Sequence, residues 1–203
     1  GVVTTFAGSG AAGHVDGTGT AAQFNYPWGV AVDVSDNVYV TDSGSHVIRR
    51  ITPSGVVTTV AGVAGAGGFQ DGPAASALFQ NPAGLAVDGS GNIFVADYGN
   101  TVIRKIASGV VSTLAGQPQE WGAQDGIGAA ARFNYPDGVA VDVEGNLYVA
   151  DSNNHTIRRI TPNGQVSTIA GIAGVAGSAD GAFGSATFSN PVGVAMETAS
   201  TLL

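Results

Sequence analysis

Pro27-Trp28-Gly29-Val30-Ala31-Val32-Asp33 is one of four copies of a single pattern, Pro-x-Gly-(Val/Leu)-Ala-(Val/Met)-(Asp/Glu). The others are Pro82–Asp88, Pro136–Asp142 and Pro191–Glu197. Their glycines, Gly29, Gly84, Gly138 and Gly193, stand 55, 54 and 55 residues apart. Asp-Gly pairs beginning at Asp16, Asp71, Asp125 and Asp180 repeat at the same three intervals. A fixed period this long marks a repeat architecture, in which each unit buries its faces against its neighbours. A residue present in every copy is therefore expected to serve the scaffold.

Within the first unit, four short segments rich in Val, Ile, Thr and Tyr follow one another: Trp28–Asp33, Val38–Thr41, His46–Thr52 and Val56–Ala61. Their lengths and β-branched content suit strands. The connections between them are short and carry Gly, Asn, Asp, Ser or Pro, which suits hairpins. Four consecutive antiparallel strands make a meander, and meanders recurring at this period predict an all-β fold, a β-propeller of four-stranded blades. Gly-Val-Ala-Val-like first strands fit the crowded axis of such a ring. The remaining connection, 18 or 19 residues before each conserved proline, holds Ala21-Ala22-Gln23-Phe24 and its equivalents. It is expected to form a helical turn that pins its phenylalanine into the blade edge.

The chain reads as one partial propeller domain over 1–203. Its units run over 27–81, 82–135 and 136–190, with a terminal strand within 1–8 (Val2–Ala7) and an incomplete fourth unit at 191–203 whose first strand is Val192–Met196. Three full blades plus flanking strands do not close a ring. The open faces predict self-association, with a two-fold homodimer supplying six blades.

Composition narrows the function. Gly makes up 32 of 203 residues and charged residues only 11%, as many tight turns would require. A net charge of −8 argues against nucleic acid, whose phosphates need exposed Lys and Arg. The absence of Cys removes disulfides and thiolate metal sites. No run of apolar residues is long enough for a membrane-spanning helix.

Asn25–Asp33, Asn37–Asp42 and His46–Ile51 resemble NHL repeats, and so do Gly138–Asp142, Gly145–Asp151 and Asn153–Arg158. The resemblance covers essentially the whole chain. It implies a six-bladed propeller that acts as a binding platform in secreted, periplasmic, cell-surface or multidomain proteins. The function expected is therefore a non-catalytic binding or scaffold module for a protein, peptide or glycan, without cofactor. A metal-assisted lyase or hydrolase is the alternative, and RNA binding ranks last.

Candidate residues follow from the comparison of units. Asp33, Asp88 and Asp142, joined by Glu197, are read as acceptors for hairpin amides rather than as a cation ring. Asp42, Asp97 and Asp151 are expected to cap the second strand or pair with Arg49, Arg104 and Arg158. Arg50, Lys105 and Arg159 complete the basic set, whose stems are expected to pack between blades. His46 and His155 stand a whole blade apart and do not make a zinc site; His14 lies in a loop. Asp16, Asp71, Asp125 and Asp180 are weak calcium candidates, because their loops lack dense carboxylate spacing. Positions where the units disagree are better candidates for ligand selectivity. The residue between Pro and Gly is Trp28, Ala83, Asp137 or Val192, and Tyr26 aligns with Asn81, Tyr135 and Asn190. Tyr26, Trp28, Trp121, Tyr135 and Asp137, together with Phe69, form the expected binding face.

Overall fold

A computed structural model of the chain describes residues 1–198 and 201–202. It contains three antiparallel five-stranded sheets, each a propeller blade. The first blade comprises β1 (Gly17–Thr18), β2 (Pro27–Val32), β3 (Val38–Asp42), β4 (Val47–Ile51) and β5 (Val56–Ala61). The second comprises β6 (Gly72–Pro73), β7 (Leu85–Val87), β8 (Ile93–Asp97), β9 (Val102–Ala107) and β10 (Val110–Ala115). The third comprises β11 (Gly126–Ile127), β12 (Pro136–Val141), β13 (Leu147–Asp151), β14 (Thr156–Ile160) and β15 (Gln165–Ala170). β16 (Met196–Thr198) pairs antiparallel with β17 (Thr201–Leu202).

The order β1-β5-β4-β3-β2 recurs in each blade. The chain enters at the outer edge, crosses to the axis, then meanders outward to meet its own entry strand. Thus Gly17 pairs with Val57, Gly72 with Val111 and Gly126 with Val166. These two-residue outer strands were not expected, and they make each blade five-stranded.

Two expected strands are absent. Val2–Ala7 makes no ladder, and Val2 and Val3 are 91% and 98% exposed. Pro191–Ala195 likewise forms no strand, which begins only at Met196. Among the described residues neither segment has a neighbouring strand whose amides and carbonyls would hold it extended. Glu197 begins no second hairpin of the blade type, and its side chain lies outside the described residues.

Blades meet through apolar faces. Tyr39, Ile48 and Ala61 of the first blade pack on Phe79, Leu85, Ile93, Val95 and Ile106 of the second. Phe94, Ala96 and Ile103 of the second pack on Phe133, Val139, Leu147 and Val149 of the third. The phenylalanines do pin the edges: Phe79 and Phe133 are fully buried, and 3-10 turns at Gly19–Ala21 and Gly128–Ala130 precede Phe24 and Phe133. At the axis the innermost strands approach so closely that only glycine fits. A Cβ on Gly29 would lie 2.7 Å from the Ala83 carbonyl oxygen, and one on Gly138 2.7 Å from that of Val192. Gly193 is different, with nothing within 4 Å among the described residues.

Candidate functional site

Each blade is locked by one buried arginine. Arg49 sends Nη1 to Asp42 Oδ2 at 3.0 Å and both Nη2 (2.7 Å) and Nε (3.2 Å) to Asp16 Oδ1, and its other bonds reach the carbonyls of Gln23 and Val15. Arg104 repeats this with Asp97 (2.7 Å) and Asp71 (2.6 Å), and Arg158 with Asp151 (2.6 Å) and Asp125 (2.8 Å). The guanidinium also covers a phenylalanine: Arg49 over Phe24, Arg104 over Phe79 and Phe69, Arg158 over Phe133. Burial pushes the Asp97 carboxyl up to about 6, against the pull of Arg104 and the Asn100 and Gln80 hydrogen bonds. Asp16, Asp71 and Asp125 thus clasp the blade, and among the described residues Asp180 has no ion-pair partner. No group of three or more His, Cys, Asp or Glu side chains that could hold a metal ion occurs among the described residues.

At the opposite end of the innermost strands, Asp33 Oδ1 accepts the amides of Ser35 (2.8 Å) and Asn37 (2.9 Å), and Oδ2 accepts Asn37 Nδ2 and the Tyr39 hydroxyl. Desolvation works to raise the Asp33 pKa, but these hydrogen bonds outweigh it and hold it below the ordinary value. Asp88 accepts the amides of Ser90 and Asn92 and the Asn92 side chain, and Asp142 the amide and side chain of Asn146 with the Tyr148 hydroxyl. His46 and His155 sit in left-handed backbone and accept, through Nδ1, the amides of Asn81 and Asn190, each at 3.1 Å. They bridge consecutive units and do not converge. Arg159 donates to Asn146 Oδ1, and Lys105 lies over the Phe94 ring.

The remaining candidates gather at the end of the sheets where innermost strands begin and second strands finish. A groove of about 710 Å³ opens there, lined by Trp28, Ala83, Asp137 and Val192, one from each unit. Its rim carries Tyr98 and Tyr135, whose rings lie 4.7 Å apart at 40°. Polar lining comes from Gln80, Asn81, Asn153 and Asn190 with Ser43 and Ser152. One extra residue in β2 between Pro27 and Val30, and one in β12 between Pro136 and Val139, bulges the strand at Trp28 and Asp137. Bulges re-aim side chains beside functional sites. Here the indole Nε1 of Trp28 donates to Asp137 Oδ1 at 2.9 Å across the axis. Asp137 is only 5% exposed, and burial pushes its carboxyl up, opposed by that one hydrogen bond. Tyr98 is pushed up too, by burial and then by the nearby Asp137 charge.

Three of the six expected face residues therefore come together: Trp28, Tyr135 and Asp137. Tyr26 does not join them, since it borders a separate hollow with Phe24, Thr5 and residues 7–12. Trp121 is 72% exposed in the arm leading to the third blade and does not line the groove. Phe69 lies against Arg104. Tyr98 was missed. The signal for it existed, because it too sits where the units disagree, aligned with Ser43 and Ser152 in the turn after the second strand.

Comparison with known proteins fits this geometry. The NHL repeat family matches at residues 24–51, 79–104 and 133–160. Protein SUPPRESSOR OF QUENCHING 1 of Arabidopsis thaliana is 40% identical over 95 residues, covering 46% of this chain and 9% of that protein. NHL repeat-containing protein 2 of Bos taurus is 33% identical over 138 residues, covering 62% of this chain and 19% of that one. The chain thus spans a small part of these relatives' length. A Bacteroides thetaiotaomicron protein of unknown function superposes with a TM-score of 0.71 at 26% identity, over 87% of this chain and 43% of its own. An auxiliary nutrient binding protein of the same organism gives a TM-score of 0.70 at 19% identity, over 88% and 44%. With three matched repeats, each lying within a blade and the turn that leads into it, the chain belongs to the NHL-repeat family of β-propellers.

Proposed function

We propose that this protein is a non-catalytic binding module whose axial groove receives a segment of a protein, a peptide or a glycan. The observation that carries this reading is the contrast within the repeat. The positions that hold the blades are constant, whereas those converging on the groove are Trp28, Ala83, Asp137 and Val192. About 710 Å³ falls within the ordinary range of ligand pockets. Exposed aromatic rings beside amide side chains offer stacking and hydrogen bonds to either kind of ligand. A neighbour of like fold being described as a nutrient binding protein is in keeping with it. The test is a peptide and glycan array followed by Trp28→Ala and Tyr135→Ala. The strongest hit should lose most of its affinity, and an unchanged affinity in the double variant overturns the reading.

The open leading blade supports self-association as part of the same role. Val30 and Val32 of the first blade are 66% and 56% exposed, whereas Leu85 and Val139, the equivalents of Val30, are 5% and 7%. A second copy covering that face would complete six blades. Its third blade already carries Phe188 and Val194 of its own fourth unit over Ala150, Ile157 and Ala170. Closure of a two-fold ring therefore requires this partial unit to move aside. Light scattering should give a mass of twice 20.0 kDa at micromolar concentration; a stable monomer refutes the ring.

A further inference from the structure

We propose that the groove selects a cationic side chain, the ammonium of lysine or the guanidinium of arginine, presented by a peptide segment. This rests on the groove being the binding site and goes on to name its ligand class.

Five aspartates are buried among the described residues: Asp42, Asp97, Asp137, Asp142 and Asp151. Four of them are fully provided for. Asp42, Asp97 and Asp151 each hold an arginine and a backbone amide. Asp142 accepts the Asn146 amide, the Asn146 side chain and the Tyr148 hydroxyl. Among the described residues Asp137 has no cation and a single hydrogen bond, from Trp28 to Oδ1, and none reaches Oδ2. A buried carboxylate is costly unless it is paired and hydrogen-bonded. The scaffold does not require it, because Trp28, Ala83 and Val192 occupy the same repeat position.

The surroundings fit a cation. Trp28, Tyr98 and Tyr135 line the same groove, and no Lys, Arg or His does. An ammonium placed against Asp137 would meet aromatic faces whose quadrupoles attract it. Burial of Asp137, which disfavours its charged form, would be offset by the ligand's charge. The chain's net charge of −8 draws cations toward it at long range.

The test uses the full chain in a Trp121→Phe background, so that Trp28 is the sole tryptophan. Three probes are titrated into the millimolar range: acetyl-Gly-Lys-Gly-amide, its norleucine counterpart and maltotetraose. The lysine peptide should change Trp28 emission saturably, and the norleucine peptide should bind about tenfold or more weakly, as expected for loss of a charge-assisted hydrogen bond. Asp137→Asn, which keeps an acceptor for the indole, should weaken the lysine peptide by a similar factor and so remove its advantage over the norleucine peptide. Equal binding of lysine and norleucine peptides, indifference to Asp137→Asn, or binding of maltotetraose alone overturns the cationic assignment and leaves the groove as a binding site. Silence to all three overturns the assignment, and the arrays then decide whether the groove binds anything.

Discussion

Tyr26 should be dispensable to the point that removing it stabilises the protein. Four equivalent residues precede the conserved prolines in left-handed backbone: Tyr26 at φ 50°, Asn81 at 48°, Tyr135 at 54° and Asn190 at 49°. That region costs an ordinary L-residue roughly 1–2 kcal/mol, and asparagine tolerates it better than most. Two of the four units already use asparagine, so the backbone accepts it without rearrangement. Tyr26 is 81% exposed and has few contacts to lose. Tyr26→Asn should therefore gain about 0.5–1 kcal/mol, which in a chain of this size raises Tm by roughly 1–4 °C. Tyr135 provides the internal control. It is 39% exposed and pairs with Tyr98, a contact worth about 0.5–1.5 kcal/mol. In Tyr135→Asn the relieved strain and the lost pair should nearly cancel. Differential scanning calorimetry on both variants decides the matter. A fall in Tm for Tyr26→Asn, or a larger gain for Tyr135→Asn than for Tyr26→Asn, would refute the reasoning.

Gly84→Ala drives a methyl into the Asp137 carbonyl and should cost about 1–3 kcal/mol, whereas Gly193→Ala meets open space and should stay within about 0.5 kcal/mol. Urea titration of the pair measures whether axial crowding or glycine itself matters. Arg104→Met strands Asp97 in the interior and should cost about 3–5 kcal/mol by denaturant unfolding; a cost below about 1 kcal/mol would mean the clasp is ornamental. His46 is held below its ordinary pKa by burial, so the unfolded chain takes up its proton first on acidification. Its contribution is complete above the unfolded value of 6.5 and is lost as pH falls below it. Wild type should lose more stability than His46→Asn between neutral and mildly acidic pH, and parallel curves would exclude this role.

The blades were legible because β-branched runs, hairpin residues and a fixed period all point the same way. Pro27–Val32 and Val47–Ile51 fall within a residue or two of the strands read from those signals. The entry strands were not legible, since Gly17–Thr18 is two residues long and carries no alternation. The double clasp was half legible. Pairing of Asp42 with Arg49 was expected, but the share taken by Asp16 depends on a separation of 33 residues that recurs from Asp71 to Arg104 and from Asp125 to Arg158. The groove was accessible only through disagreement between units. That criterion found Trp28, Tyr135 and Asp137 together, but also chose Tyr26 and Trp121, because divergence marks freedom from scaffold duty and says nothing of direction in space.

The entry strand has a further consequence for how such a chain can be copied and cut. Asp16, β1 and the meander through Ala61 form one hydrogen-bonded whole, with Gly19 and Gly55 also joined amide to carbonyl. A gene duplication or an engineered junction placed in the arm just after Gly62 keeps each blade's ladders and both carboxylates of its arginine together, although it cuts the bonds from Gly62 to the Ala74 carbonyl and from Gly65 to the Ser45 carbonyl. A break at the proline, where the sequence motif begins, instead separates every arginine from one of its two carboxylates. The structural module is thus offset from the most conspicuous motif by the length of the arm. Because its pairings span only some forty-five residues, a module closes its own ladders locally, while its apolar faces still wait for the neighbouring blades.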